Sequence, residues 1–193
     1  MKAIKVNQQE TLSHYRYHLS KVTFEYLDRQ GQAKAQTKEI YNRGNGAVIL
    51  LYNPEKRTVI LTRQFRLAAH LNNSEDGMLI EACAGQLDGE NPGEAMIRET
   101  EEETGYKIHQ LKKIFEAYTT PGSVTEMLHF YIAAYSDEMK VNEGGGLEEE
   151  GEEIEVLELD FDEACDMVVN GQIKDCKTIM LLQYAQIHRL LES

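Results

Sequence analysis

With 193 residues the chain can bury one sizeable core, and 41% hydrophobic against 27% charged residues is the balance of a globular domain. A formal net charge of −13 speaks against a nucleic-acid backbone or an anionic membrane as partner, although a metal and a few local cations can reverse the field inside one site. Cys83, Cys165 and Cys176 form no Cys-x-x-Cys or Cys/His ligand spacing, no apolar run reaches transmembrane length, and the N-terminus lacks a signal-peptide core, so a reducing cytoplasm is the expected compartment.

In chain order, residues 12–27 carry alternating Val22, Phe24 and Tyr26 and read as a strand. Asp28–Gly31 is a turn, and a second strand spans residues 33–42. Two strands are marginally stable alone, so this pair must pack on something else. Residues 47–52 and 58–65 are apolar, β-branched strands joined by a turn at Asn53-Pro54, and residues 78–84 form another strand. Strands follow at residues 113–118, 126–135 and 154–159, then helices at residues 161–170 and 177–191. The mixture predicts an α/β fold with helices on a mixed sheet. Residues 137–153 are acidic and glycine-rich: either a solvated linker or a functional lid.

The richest stretch runs from Gly85 to Tyr106. Asn91 offers an N-cap, Pro92 suits the first helical position and Gly105 the C-terminal stop, which predicts a helix over 92–104. At about 100° per residue, Glu99, Glu102 and Glu103 share one side, Met96, Ile97, Thr100 and Thr104 another, largely apolar one, and Glu94, Arg98 and Glu101 are left for solvent or the helix rim. Three carboxylates on one face, toward the C-terminal half, repel each other and oppose the helix dipole. Such hard oxygen ligands suit Mg²⁺, with Mn²⁺ as the other fitting ion.

This stretch resembles the signature of the Nudix hydrolases, with Glu90, Arg98, Glu99, Glu102, Glu103, Gly105 and Tyr106 on its fixed positions. The spacer from Gly85 to Glu90 is one residue shorter than the family pattern, and Thr100 replaces an apolar residue. Outside the signature, residues 41–46, 63–66, 81–85, 120–126, 144–146 and 174–178 look like the GDP-mannose pyrophosphatase group, a close relative of the ADP-ribose pyrophosphatases.

The resemblance implies the Nudix fold, a mixed sheet between helices, over residues 44–193, with an N-terminal antiparallel strand extension over 1–43 for dimerisation and substrate contact. It implies a homodimer with swapped N-terminal strands and Mg²⁺-dependent hydrolysis of a nucleotide sugar, GDP-mannose to GMP and mannose 1-phosphate. The alternatives are an ADP-ribose or broad sugar-nucleotide pyrophosphatase and, more remotely, a non-catalytic binding module. Ala84 through its carbonyl, Glu99, Glu103 and Glu152 would hold metal, with Glu102 assisting. Glu152 of the acidic loop, with Glu149, Glu150 and Glu153 as rivals, or one of the motif glutamates, would take the proton from water. Substrate contacts fall on Lys38, Glu39, Arg66, Ala84, Gly85, Gln86, Glu103, Glu126 and Lys177, with Arg16, Tyr15 and Tyr17 at the base. Arg66 has the planar fork that grips phosphate, and Lys177 stands at a helix N-terminus that favours anions.

Overall fold

The computed structural model describes residues 4–192 apart from Asn73, Glu148 and Glu150. It divides into two compact units, one formed by the chain up to Asn45 together with Tyr118–Met127, the other by Gly46–Ala117 and the chain from Leu128 onward.

The first unit is a three-stranded antiparallel meander: β1 (Lys5–His14), β2 (His18–Leu27) and β3 (Ala33–Asn42), in that order. The expected strand over 12–27 is thus interrupted at Tyr15–Tyr17, and a further strand precedes it. β1 escapes a pattern search because all ten of its residues are exposed and no face is apolar; ladder hydrogen bonds to β2 define it. The β2–β3 turn is set by Asp28, whose Oδ1 accepts from the amides of Gln30 and Gln32. The loop at residues 118–127 is tied to β3 by a bridge between Tyr41 and Val124 and by two backbone hydrogen bonds of Tyr41.

The second unit contains β4 (Asn45–Asn53), β5 (Thr58–Phe65), α1 (Leu67–Leu71), β6 (Met78–Glu81), β7 (Ala84–Leu87), α2 (Pro92–Thr104), β8 (Lys112–Tyr118), β9 (Met127–Ala134), β10 (Ile154–Asp160), α3 (Phe161–Val169) and α4 (Cys176–Ile187). The sheet order is β10-β5-β4-β9-β8, with β6 on β5 and β7 on β4. β4 runs parallel to β9 and antiparallel to β5, so the sheet is mixed. β4 is buried on both faces: Ala47, Ile49 and Leu51 pack with Met96 of α2, while Val48 and Leu50 pack with Leu181 and Leu182 of α4. That period-two division places helices on both sides of the sheet.

Two boundaries depart from the sequence reading. The strand expected over 78–84 breaks at Ala82-Cys83, because Ala82 donates its amide to Thr178 Oγ1 (2.7 Å) and leaves the ladder. The last helix ends at Ile187 instead of near 191, where Arg189 adopts a left-handed φ of 53°.

Candidate active site

Helix α2 begins as its sequence dictates. Asn91 Oδ1 accepts from the amides of Gly93 (2.9 Å) and Glu94 (3.4 Å), and Gly105 closes the other end at φ 79°. The three glutamates, however, do not share one environment. Glu103 is buried with Met96 and Thr100, Glu99 and Glu102 are partly covered, and Arg98 donates to both Glu99 (3.0 Å) and Glu102 (2.8 Å). A helix face spans a wide arc, and here the sheet covers one edge of the acidic stripe while Arg98 neutralises the other. Glu90, in the shortened spacer loop, also lies 3.5 Å from Arg98. Thr100, the departure from an apolar residue, is fully buried and satisfied by donating to the Met96 carbonyl (2.6 Å).

Glu103 is the focus of the site. The Cys83 thiol and the Ala84 amide donate to its carboxylate, yet Oε2 is buried with no hydrogen-bond partner among the described residues. Burial, with Glu99 and Glu152 adding negative field, pushes the Glu103 carboxyl up to about 8. Burial likewise raises Glu99. Ala84 and Gly85 on β7 run against α2 so closely that a Cβ at Gly85 would stand 2.5 Å from Glu99. A side chain at position 85 would displace the Glu99 carboxylate from this position.

The acidic loop is not a free linker at its start. Gly145 donates to the Glu103 carbonyl (2.9 Å), Gly146 to Glu102 (3.1 Å) and Val141 to Gly105 (2.8 Å). The backbone of residues 141–146 therefore satisfies the carbonyls that the last turn of α2 leaves open. Gly144, Gly145 and Gly146 all have positive φ, which side-chain-bearing residues rarely adopt. The same loop delivers Glu152, whose carboxylate accepts from the Leu147 amide (3.1 Å) and adds its field to Glu99 and Glu103. Of the rivals, Glu149 and Glu153 are exposed and Glu150 lies outside the described residues.

An orphaned buried carboxylate oxygen beside two further carboxylates fits a divalent cation with oxygen ligands. Among the described residues, no three such side chains stand close enough to make a finished ligand set as placed. The fit thus rests on donor chemistry and on Glu103 Oε2.

The cations expected at the pyrophosphate have partners of their own. Glu81, buried at the end of β6, accepts from Arg66 Nε (2.7 Å) and from Lys177 Nζ (2.7 Å), and Lys177 also donates to Asp175 (2.8 Å). The sequence reading assigned no role to Glu81. A carboxylate closing the apolar run Met78-Leu-Ile was the available signal, since a buried charge demands a partner. Lys177 is likewise enclosed, whereas Arg66 keeps 41% of its side chain exposed.

In the first unit, Glu126 pairs with Arg43 (3.4 Å), and the guanidinium carbons of Arg16 and Arg43 lie 5.6 and 5.8 Å from the Tyr17 ring centroid. Tyr15 is 98% exposed. Lys38 and Glu39 are adjacent on β3 and so project to opposite faces of the meander. Gln86 sits on β7, next to Gly85.

The fold and the acidic helix together define a pyrophosphohydrolase of the Nudix type. Residues 42–174 match the NUDIX domain model, and the chain belongs to the Nudix family. Residues 3–41 match the model for the GDP-mannose pyrophosphatase NudK N-terminal domain. The chain is 51% identical to a GDP-mannose pyrophosphatase of Yersinia enterocolitica over 185 residues, covering 96% of each. It is 46% identical over 189 residues to proteins of the same name from Cronobacter sakazakii and Escherichia coli O157:H7, covering 98% of each. A solved structure titled as an ADP compounds hydrolase shares the fold, with TM-score 0.71, 16% identity and 97% coverage of both chains.

Proposed function

We propose that the protein hydrolyses the pyrophosphate bond of a nucleotide sugar, GDP-mannose giving GMP and mannose 1-phosphate. The observation that carries this reading is the 51% identity to a GDP-mannose pyrophosphatase along 96% of both chains, which takes in the N-terminal unit as well as the metal motif. A match confined to the motif would support only the general chemistry.

Glu99, Glu103 and Glu152, with the Ala84 carbonyl, would hold Mg²⁺ or Mn²⁺, and Glu102 would assist through Arg98. The bound metal would supply Lewis-acid polarisation of the pyrophosphate and a more acidic water. Glu152, held by the Leu147 amide, would accept the proton of the attacking water, with the motif glutamates as the other acceptors. The exposed end of Arg66 would offset phosphate charge, while Lys177 supports it from behind through Glu81. Gly85 and Gln86 would line the sugar nucleotide beside Glu103; Lys38, Glu39, Glu126 and Arg16, with Tyr17, would supply contacts from the N-terminal unit.

Two copies would exchange N-terminal strands, so that residues 1–43 serve both assembly and substrate contact and residues 44–193 carry the chemistry. The exposed β1 strand supports this assignment, since an unpaired edge favours pairing with another chain. Three free cysteines are in keeping with a cytoplasmic setting.

The test is kcat/KM for GDP-mannose against ADP-ribose at one Mg²⁺ concentration and pH, read by coupled phosphate release. GDP-mannose should be preferred. A tenfold preference for ADP-ribose, about 1.4 kcal/mol in transition-state binding, would reassign the substrate. Binding of both without cleavage would leave only a binding module.

A further inference from the structure

Glu81 is 3% exposed, and both of its oxygens are engaged by cations. Oε2 takes Arg66 through Nε and Oε1 takes Lys177 through Nζ, each at 2.7 Å.

Two cations and two carboxylates, Arg66, Lys177, Glu81 and Asp175, form a chain that is neutral as a whole. Its inner end is fixed in the fold. Asp175 caps α4 by accepting from the Thr178 amide (2.9 Å) and hydroxyl (2.6 Å), and Thr178 Oγ1 accepts the Ala82 amide. Lys177 lies inside this chain with its charge offset on two sides. Arg66 lies at the outer end, held by one edge only. Among the described residues its two terminal nitrogens have no hydrogen-bond partner.

A guanidinium offers two donor edges in a fixed plane. When Nε is bound to a buried carboxylate, the plane is set and the terminal nitrogens form a preoriented pair for a second anion. A surface ion pair between mobile side chains would leave that plane free to rotate. Here the anchor is buried and tied to α4, so the orientation of Arg66 follows from the core.

We propose that Glu81 is a positioning residue, which presets the terminal nitrogens of Arg66 to receive a substrate phosphate and which Lys177 holds in place from behind. The inference rests on the sugar-nucleotide reading for the identity of the substrate, and on the ion-pair geometry alone for the phosphate.

The experiment compares wild type with Glu81→Gln, Arg66→Lys, Arg66→Gln and the Glu81→Gln/Arg66→Lys double variant in the full chain. Each is assayed for kcat and KM with GDP-mannose and Mg²⁺. Each is also titrated calorimetrically with inorganic pyrophosphate in EDTA. Lysine at 66 keeps the charge, but its single ammonium is drawn to Glu81 and presents no fork. Each single variant should raise KM about tenfold while kcat changes by less than about threefold. The double variant should be no worse than the worse single by more than about twofold, because both changes remove one interaction. An unchanged KM for Glu81→Gln, or a double variant whose KM rise is the product of the two singles, overturns the proposal. If Glu81→Gln fails to fold, Arg66→Lys decides: a KM rise equal to that of Arg66→Gln supports preset geometry, and a wild-type KM refutes it. If wild type cleaves no sugar nucleotide, the functional reading falls while the pyrophosphate titration still reports on Glu81. Pyrophosphate affinity that is absent in wild type, or equal in wild type and Glu81→Gln, then overturns the inference.

Discussion

The amide of Gly145 donates to the carbonyl of Glu103 at 2.9 Å, so the acidic loop closes the last turn of the helix that carries the proposed metal carboxylates. One segment thereby caps α2 and presents Glu152 beside Glu99 and Glu103. The loop and the helix end form one structural unit, and the site depends on glycine geometry as much as on glutamate charge.

Gly144→Ala should therefore destabilise strongly. Its φ is 69°, and a Cβ would lie 2.5 Å from the Glu103 carbonyl oxygen. The backbone preference alone costs about 1–2 kcal/mol, and the clash adds to it. Gly151→Ala, at φ 71° with open space around it, should show only the backbone cost. Urea unfolding of both variants checks the difference, and equal midpoints would remove the loop from its capping role.

Glu103→Gln keeps the shape of the buried side chain and removes its charge. Turnover should fall by orders of magnitude at saturating Mg²⁺. The metal-free protein should melt higher at neutral pH, because folding of the wild type requires a proton to be taken up at Glu103 and a neutral amide needs none. Steady-state kinetics and thermal melts in EDTA measure the two effects independently. Near-normal turnover would sink the assignment of Glu103.

The Glu103 carboxyl, pushed up to about 8 from an ordinary 4.5, sets a pH dependence for the metal-free protein. Between those values the folded chain keeps a proton that the unfolded chain has lost. Stability must then fall as pH rises through that window, with a slope approaching about 1.4 kcal/mol per pH unit from this one group. Glu103→Gln should flatten the slope. Denaturant midpoints between pH 5 and 8 in EDTA test this, and identical slopes for the two proteins would contradict it.

The assembly prediction is direct. β1 exposes all ten of its residues, and Ile4, Val6 and Leu12 are exposed large apolar side chains at and beside it. Light scattering at micromolar concentration should give twice the chain mass of 22.0 kDa, and removal of residues 4–14 should halve it. A fully active monomer would exclude exchanged strands.

Local signals were legible where the chain's own chemistry decides conformation. Asn91, Pro92 and Gly105 bound α2 because capping and left-handed stops involve near neighbours only. The apolar strands β4 and β5 were legible because burial on both faces makes their middles, residues 47–51 and 59–61, unbroken apolar runs. The glutamate motif pointed to a candidate metal site because three like charges on one helix are costly without a cation.

The tertiary structure decided what depends on distant partners. β1 has no apolar face, so only its ladder with β2 makes it a strand. Arg98 meets Glu102 as an i,i+4 pair of one helix, but nothing local shows that Glu103 is buried, since that follows from where the sheet covers the helix. Arg66, Glu81 and Lys177 lie far apart in the sequence, yet Arg66 and Lys177 each stand 2.7 Å from a different oxygen of Glu81. Charges buried together stabilise a fold only as a set, and the set exists only once β5, β6 and α4 are packed.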